Sequence, residues 1–238
     1  MEERNRKAAL LFRSAGDIAR TSKEFEMRGI RTIPFEAIET ICLGGANLES
    51  AAGKADYLIF ISRNAVLCSA THIDKGSIKA RVMATGISTA RLLDGMGFEV
   101  AFAPAVGGIS SVIKRLGEEA PGRVVALCER HSDFDFTPLE ERGFSLDKAA
   151  AYEARTKTMK IGISDVFAAT HAAFFSPLEV ESLMSSVDAA TVAALKKLKA
   201  VCLGRKTYEA ASAIFSRVSL AKLNSISGMA DEIAGDGD

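Results

Sequence analysis

Short apolar runs rich in β-branched and aromatic residues alternate along the whole chain with longer stretches of helical character. The runs predict strands at Ala8–Phe12, Tyr57–Ile61, Arg81–Thr85, Glu99–Phe102, Arg123–Cys128, Ala172–Phe175 and Ala200–Leu203. Between them, helices are expected over Ile18–Arg28, Ser88–Met96, Ser110–Glu119 and Lys206–Phe215. Glycines follow three helical stretches, at Gly29, Gly97 and Gly143, where a helix commonly stops. Strands alternating with helices in this way predict parallel α/β units.

The pattern also repeats. DYLIFISRNAV (Asp56–Val66) is a buried strand running into a polar turn and a helix start, and THAAFFSPLEV (Thr170–Val180) has the same layout. Phe60 then lies over Phe174, Ser62 over Ser176 and Val66 over Val180; FEMRGI (Phe25–Ile30) lies over LEERGF (Leu139–Phe144) at the same offset. With a four-residue adjustment, TGISTARLL (Thr85–Leu93) lies over LGRKTYEAA (Leu203–Ala211), pairing Thr89 with Thr207. RVVALCER, ending at Arg130, resembles KAALLFR, ending at Arg13.

These blocks do not divide into a first and a second half. IRTIPFEAIE (Ile30–Glu39) and DKAAAYEART (Asp147–Thr156) belong to no helical unit, so the chain is expected to cross between two domains there. One domain would hold residues 1–33 plus 156–238 and the other residues 37–152. Two antiparallel connecting strands would join them.

Composition adds limits. The chain has 238 residues, with 30 basic and 30 acidic side chains in balance, which argues against a broad basic nucleic-acid face. No segment approaches the ~18 uninterrupted apolar residues of a membrane helix. Behind the charged stretch MEERNRK the apolar run AALLF is too short for a signal-peptide core, so no secretory leader is expected. Cys42, Cys68, Cys128 and Cys202 are scattered, so neither zinc nor a disulfide framework is expected. The reading is a reduced, cytoplasmic protein. His72, His131 and His171 lack partners at metal-ligand spacing, so no metal is expected. GGISS and LGGAN match no phosphate-binding loop and read as turns.

Candidate chemistry lies at the strand ends. In open parallel α/β sheets ligands bind beyond the carboxyl ends of strands. Ser62, Arg63 and Asn64, then Ser88 and Thr89, then Ser176, then Lys206 and Thr207 all open a helix after such an end. Any one of these hydroxyls could serve as a cap alone. Their recurrence in matched pairs, two per domain, points to donors lining a cleft for several carboxylates.

The residues together resemble the uroporphyrinogen-III synthase family over nearly the whole chain. The strand-turn segments FISRNAV and FFSPLEV are similar to its T-S-P-x-A-V-like element, and TGISTARLL and LGRKTYEAA to its V-G-x-x-T-A-x-x-L-like element. ALLFR supplies a strand ending in arginine, and AAAYEART a tyrosine, Tyr152, in the returning crossover. The resemblance implies two flavodoxin-like parallel-sheet domains joined by a two-stranded antiparallel connector. It implies cofactor-free closure of hydroxymethylbilane, with loss of water and inversion of ring D, to uroporphyrinogen III. Tyr152 is then the expected proton donor, since a phenol with an ordinary pKa near ~10 holds its proton at neutral pH. Arg13, Ser62, Arg63, Asn64, Ser88, Thr89, Arg130, Ser176, Lys206 and Thr207 are the expected substrate contacts. Arg63 stands where the family has proline, Ile61 where it has threonine, and Arg205–Lys206 where it has smaller residues. The partner implied is the linear tetrapyrrole, which the enzyme that makes it could pass on directly; a monomer is expected. The competing reading is a two-domain binding or regulatory protein for a polycarboxylate, without turnover.

Overall fold

The computed structural model describes residues 7–106 and 108–236. The charged residues 1–6, Gly107 of the GGISS turn and the last two residues lie outside the described residues. The fold is mixed α/β with a single, mostly parallel sheet, in the order β10-β9-β8-β1-β2-β7-β6-β3-β4-β5. The chain divides into two compact units, Met1–Glu39 with Arg155–Asp238, and Thr40–Ala154.

The first unit carries β1 (Ala8–Ser14), most of β2 (Arg31–Cys42), the end of β7 (Ser145–Thr156), β8 (His171–Phe174), β9 (Lys199–Cys202) and β10 (Arg217–Leu220). Its main helices are α1 (Ala15–Glu26), α8 (Pro177–Ser186), α10 (Arg205–Ser212) and α11 (Ile226–Ala234), with the shorter α7 (Ile163–Phe167) and α9 (Ala189–Leu195). The second unit carries the end of β2, β3 (Tyr57–Phe60), β4 (Arg81–Ala84), β5 (Val100–Phe102), β6 (Arg123–Glu129) and most of β7. Its helices are α2 (Ala46–Ala52), α3 (Arg63–Ser69), α4 (Ile87–Gly95), α5 (Gly108–Leu116) and α6 (Thr137–Glu140). All seven predicted strands form. The chain also makes β10 and the two 12-residue strands β2 and β7, which contain the predicted crossings.

Strands buried on both faces read as continuous apolar runs, and β1, β3, β6 and β8 do so. Helices cover each face. In the second unit one layer gathers Leu58, Phe60, Val66 and Leu93, and the other gathers Ile59, Met83, Val112 and Leu116. In the first unit Phe12 stacks between Phe35 and Phe174, at 5.7 and 5.1 Å between ring centres. Gly29, Gly97 and Gly143 sit at φ of 73°, 82° and 88°, the left-handed conformation that ends a helix at low cost only for glycine.

The cysteines depart from expectation. Cys42, at the end of β2, and Cys68, inside α3, form a disulfide across a Cα–Cα distance of 5.0 Å. Twenty-six residues separate them in sequence, and only the packing of α3 beside the end of β2 brings them together. Cys128 and Cys202 are free and buried, as their apolar surroundings predict, and burial pushes the Cys202 thiol up to about 12. Among the described residues, no helix is long and apolar enough to cross a membrane.

Candidate active site

Register turns the sequence repeat into a structural one. In β1/β2, Arg13 pairs with Glu36 and Ser14 with Ile38, leaving Ala37 as an extra residue. In β6/β7, Cys128 pairs with Ala150 and Glu129 with Tyr152, leaving Ala151 extra. The two bulged alanines are 114 residues apart, the offset of the repeat, and both are fully buried. A bulge re-aims the side chain that follows it. In one unit that side chain is Tyr152; in the other it is Ile38.

The same register separates the two arginines. Arg13 occupies the position of Cys128, and Arg130 lies beyond the end of β6, so the strand-end arginines are not equivalent. The threonines do match, because Tyr57 pairs with Arg81 and His171 with Lys199 across the corresponding strands.

In the second unit, Ser62 caps α3. Its Oγ accepts from the Ala65 N–H at 3.1 Å and lies 3.1 Å from the Tyr152 Oη. Arg63 opens α3 and donates to the Ser88 carbonyl at 3.3 Å. Asn64 donates to Thr40 Oγ1 at 3.4 Å. Thr85 Oγ1 donates to the Ile61 carbonyl at 2.6 Å, tying the ends of β3 and β4 together. Ser88 is exposed, whereas Thr89 is 4% exposed and faces the core. Arg130 donates to the Tyr152 carbonyl through its backbone at 2.8 Å, and its guanidinium meets Glu153 at 2.7 Å.

In the first unit, Ser176 precedes α8 with no side-chain cap bond. The Glu179 carboxylate reaches back past the cap and accepts from the Phe175 N–H at 2.6 Å. Arg13 meets Glu179 at 2.8 Å and Asp17 at 3.2 Å, with its guanidinium 4.2 Å from the Phe175 ring centre. Glu179 is fully buried; desolvation outweighs Arg13 and the backbone donors and raises its carboxyl to about 7. Lys206 is exposed, whereas Thr207 is 3% exposed.

Three facts went unseen in the sequence. Glu179 had a signal, since S-P-L-E is the Ser-x-x-Glu spacing of a capping box. Glu153 follows the tyrosine already singled out, but nothing in sequence pairs it with Arg130. The burial of Thr89 and Thr207 follows from each being the third residue of its helix, turned toward the sheet. Among the described residues, no three His, Cys, Asp or Glu side chains converge as a metal site.

The protein is a mostly parallel α/β fold that carries a phenol, hydroxyls, an amide and cations at strand carboxyl ends, where such sheets place ligands. The family model for "Uroporphyrinogen-III synthase HemD" matches residues 19–231. The chain belongs to the uroporphyrinogen-III synthase family. It is a cyclising lyase of tetrapyrrole biosynthesis, converting hydroxymethylbilane to uroporphyrinogen III with inversion of ring D and loss of water. Among solved structures, uroporphyrinogen-III synthetase from Helicobacter pylori is 18% identical, with TM-score 0.60, covering 94% of this chain and 97% of that one. A mutant uroporphyrinogen III synthase from Thermus thermophilus is 16% identical, with TM-score 0.54, covering 95% and 96%. At these identities the likeness is one of fold. Comparison with curated protein sequences gives no significant match.

Proposed function

We propose that the chemistry belongs to the second unit and that Tyr152 is its proton donor. The observation that carries this is the Ser62–Tyr152 hydrogen bond at the mouth of β3, because the equivalent place in the first unit holds Ser176 and Ile38. The substrate's own pyrroles supply the nucleophile, so the protein needs to help the hydroxyl leave and hold the chain for spiro closure. Tyr152 gives its proton to the departing oxygen, the C–O bond breaks toward that oxygen, and water leaves an azafulvene cation. Attack through the spiro intermediate and a second azafulvene cation inverts ring D. The proton released when the last ring regains aromaticity restores the phenol.

The substrate's eight carboxylates are held by the candidate side chains that keep some exposure, half-buried or exposed. Arg63, Asn64 and Ser88 serve in the second unit, and Ser176 and Lys206 in the first, while Ser62 faces Tyr152. Thr89 and Thr207 act from beneath, fixing the helix starts. Arg13 and Arg130 act through Glu179 and Glu153, which hold the rims in shape. The two units are read as flavodoxin-like domains. In chain order the first unit's strands run 2-1-3-4-5, the flavodoxin order, and the second has the same spatial order with its chain permuted. The connector is read as an antiparallel β2/β7 pair. Lys157 bonds to Ala37 and Leu43 to Ala151, so partners run in opposite directions. The working form is read as a cytoplasmic monomer that can take its substrate from the preceding enzyme.

The test is to mix the purified protein with freshly generated hydroxymethylbilane, oxidise the products and separate the isomers. The III isomer should dominate. Tyr152→Phe should lower kcat on the order of 10²-fold, the low end for a general acid, because hydroxide already departs readily from a pyrrolylmethyl carbon. A Tyr152→Phe variant with unchanged kcat would remove the donor role. Only the I isomer from folded protein would favour the polycarboxylate-binding reading.

A further inference from the structure

The hydroxyl of Ser62 makes two side-chain contacts, and each constrains the other. Its oxygen accepts from the Ala65 N–H, the bond that starts α3. A serine hydroxyl has one proton and two lone pairs, and that proton needs an acceptor. Among the described residues the acceptor in reach is Tyr152 Oη, at 3.1 Å. Either oxygen can be the donor at this distance; with one serine lone pair already taken by the helix N–H, the direction we adopt is from serine to tyrosine. A phenol oxygen that receives a hydrogen bond is better able to carry negative charge, because a bond to the charged form favours that form.

The place is special within this chain. The bulge at Ala151 sets Tyr152 opposite Glu129, and Tyr152 packs against the layer that holds Phe60, Ala65 and Val66. The matched bulge at Ala37 sets Ile38 in the same register, and the matched Ser176 makes no cap bond with its side chain. Of the two serines aligned by the repeat, only Ser62 is pinned by a helix N–H while facing a phenol.

We propose that Ser62 is a positioning residue for the reaction. It donates to Tyr152, fixes the phenol's place and stabilises the phenolate that forms as the proton passes to the departing hydroxyl. This rests on the proton-donor reading of Tyr152 and extends it: Ser62 acts on the acid, where the sequence reading made it a contact to a substrate carboxylate. No bond to Ser62 forms or breaks in the step. Tyr152 loses one proton to the leaving oxygen and regains one at ring closure.

The experiment uses the full chain and needs no substrate for its first readout. The protein has three tyrosines and no tryptophan, so subtracting the alkaline absorbance titration of Tyr152→Phe isolates the phenolate transition of Tyr152. Ser62→Ala and Ser62→Gly should each move that transition upward by about half to one pH unit. Glycine is well tolerated at a helix N-cap, so Ser62→Gly separates loss of the hydroxyl from loss of the cap. Ser62→Thr, which keeps a hydroxyl, should bring the transition back. With substrate, Ser62→Gly should lower kcat about fivefold with KM little changed, and should add nothing in a Tyr152→Phe background. A transition that stays put or moves downward in both deletion variants overturns the proposal. A raised KM with unchanged kcat returns Ser62 to substrate binding. If Tyr152→Phe leaves kcat intact, the proton-donor reading fails and the catalytic role of Ser62 with it; the titration still decides the direction of the hydrogen bond.

Discussion

Glu179 shows how differently one side chain reads alone and in place. In sequence it is one of two glutamates early in a helix; folded, it lies buried between Arg13 and the start of α8. Its carboxyl, ordinarily at 4.5, is raised to about 7 by desolvation. The folded value exceeds the unfolded one, so protonation favours the native state. That contribution is complete below pH 4.5 and is lost as pH rises through 7. Between about pH 5 and 8, denaturant unfolding should show the parent losing on the order of 2 kcal/mol relative to Glu179→Gln. Taking the difference removes the opposite slope from His171, whose lowered value, caused by burial, costs stability as pH falls. A difference that stays flat between about pH 5 and 8 would mean that Arg13 keeps Glu179 charged throughout. Arg13 illustrates what sequence reasoning missed at this scale. Its place at a strand end was legible and Asp17 is only four residues on, but its engagement by Glu179 depends on a helix 166 residues away.

Among the elements, the disulfide between the end of β2 and α3 has the largest consequence for stability. Cross-linking residues 26 apart removes loop entropy from the unfolded chain worth ~3.5 kcal/mol in the chain-entropy model. Cys68→Ser should lower the unfolding free energy by about that amount, read from urea denaturation. Dithiothreitol should do the same to the parent and nothing further to the variant. Equal stability with and without reductant would mean the bridge contributes nothing in solution. Strands and helices that carry their own pattern were legible at nearly their true ends, as β3, β6 and α4 illustrate. The bridge was not, since Cys42 and Cys68 meet through packing that no local pattern encodes. Nor were the bulges: Ala37 and Ala151 look like ordinary strand residues until register leaves each without a partner. Yet the repeat that predicted matched strand ends carries through to these bulges, and it locates Tyr152 on one rim only.

For the molecule as a whole, the permuted connectivity makes a claim about folding that can be tested by cutting. The second unit, Thr40–Ala154, is one continuous stretch, and both of its apolar layers are formed from its own residues. It keeps the Cys42–Cys68 bridge and the Leu43–Ala151 bond. The first unit is discontinuous, but the Ala37 carbonyl and the Lys157 N–H lie 2.9 Å apart, so a short linker can join residue 39 to residue 155. Its apolar cluster, with Leu11, Phe25, Ala173, Val201 and Ile233, also draws only on its own segments. Residues 40–154 alone should therefore fold to a cooperative α/β unit, and so should the first unit closed by a few glycines and serines. Each should unfold in a single denaturant transition with a slope suited to its size. IRTIPFEAIE and DKAAAYEART, which fit no helical repeat in the sequence, fall largely within β2 and β7, the strands that carry the boundaries at 39/40 and 154/155. If the excised second unit is unfolded while the full chain is stable, the boundaries at 39/40 and 154/155 are not those of folding units. The long strands would then be part of one cooperative structure. If both pieces fold and neither makes the III isomer, the reaction requires both units even though the proposed acid lies in only one.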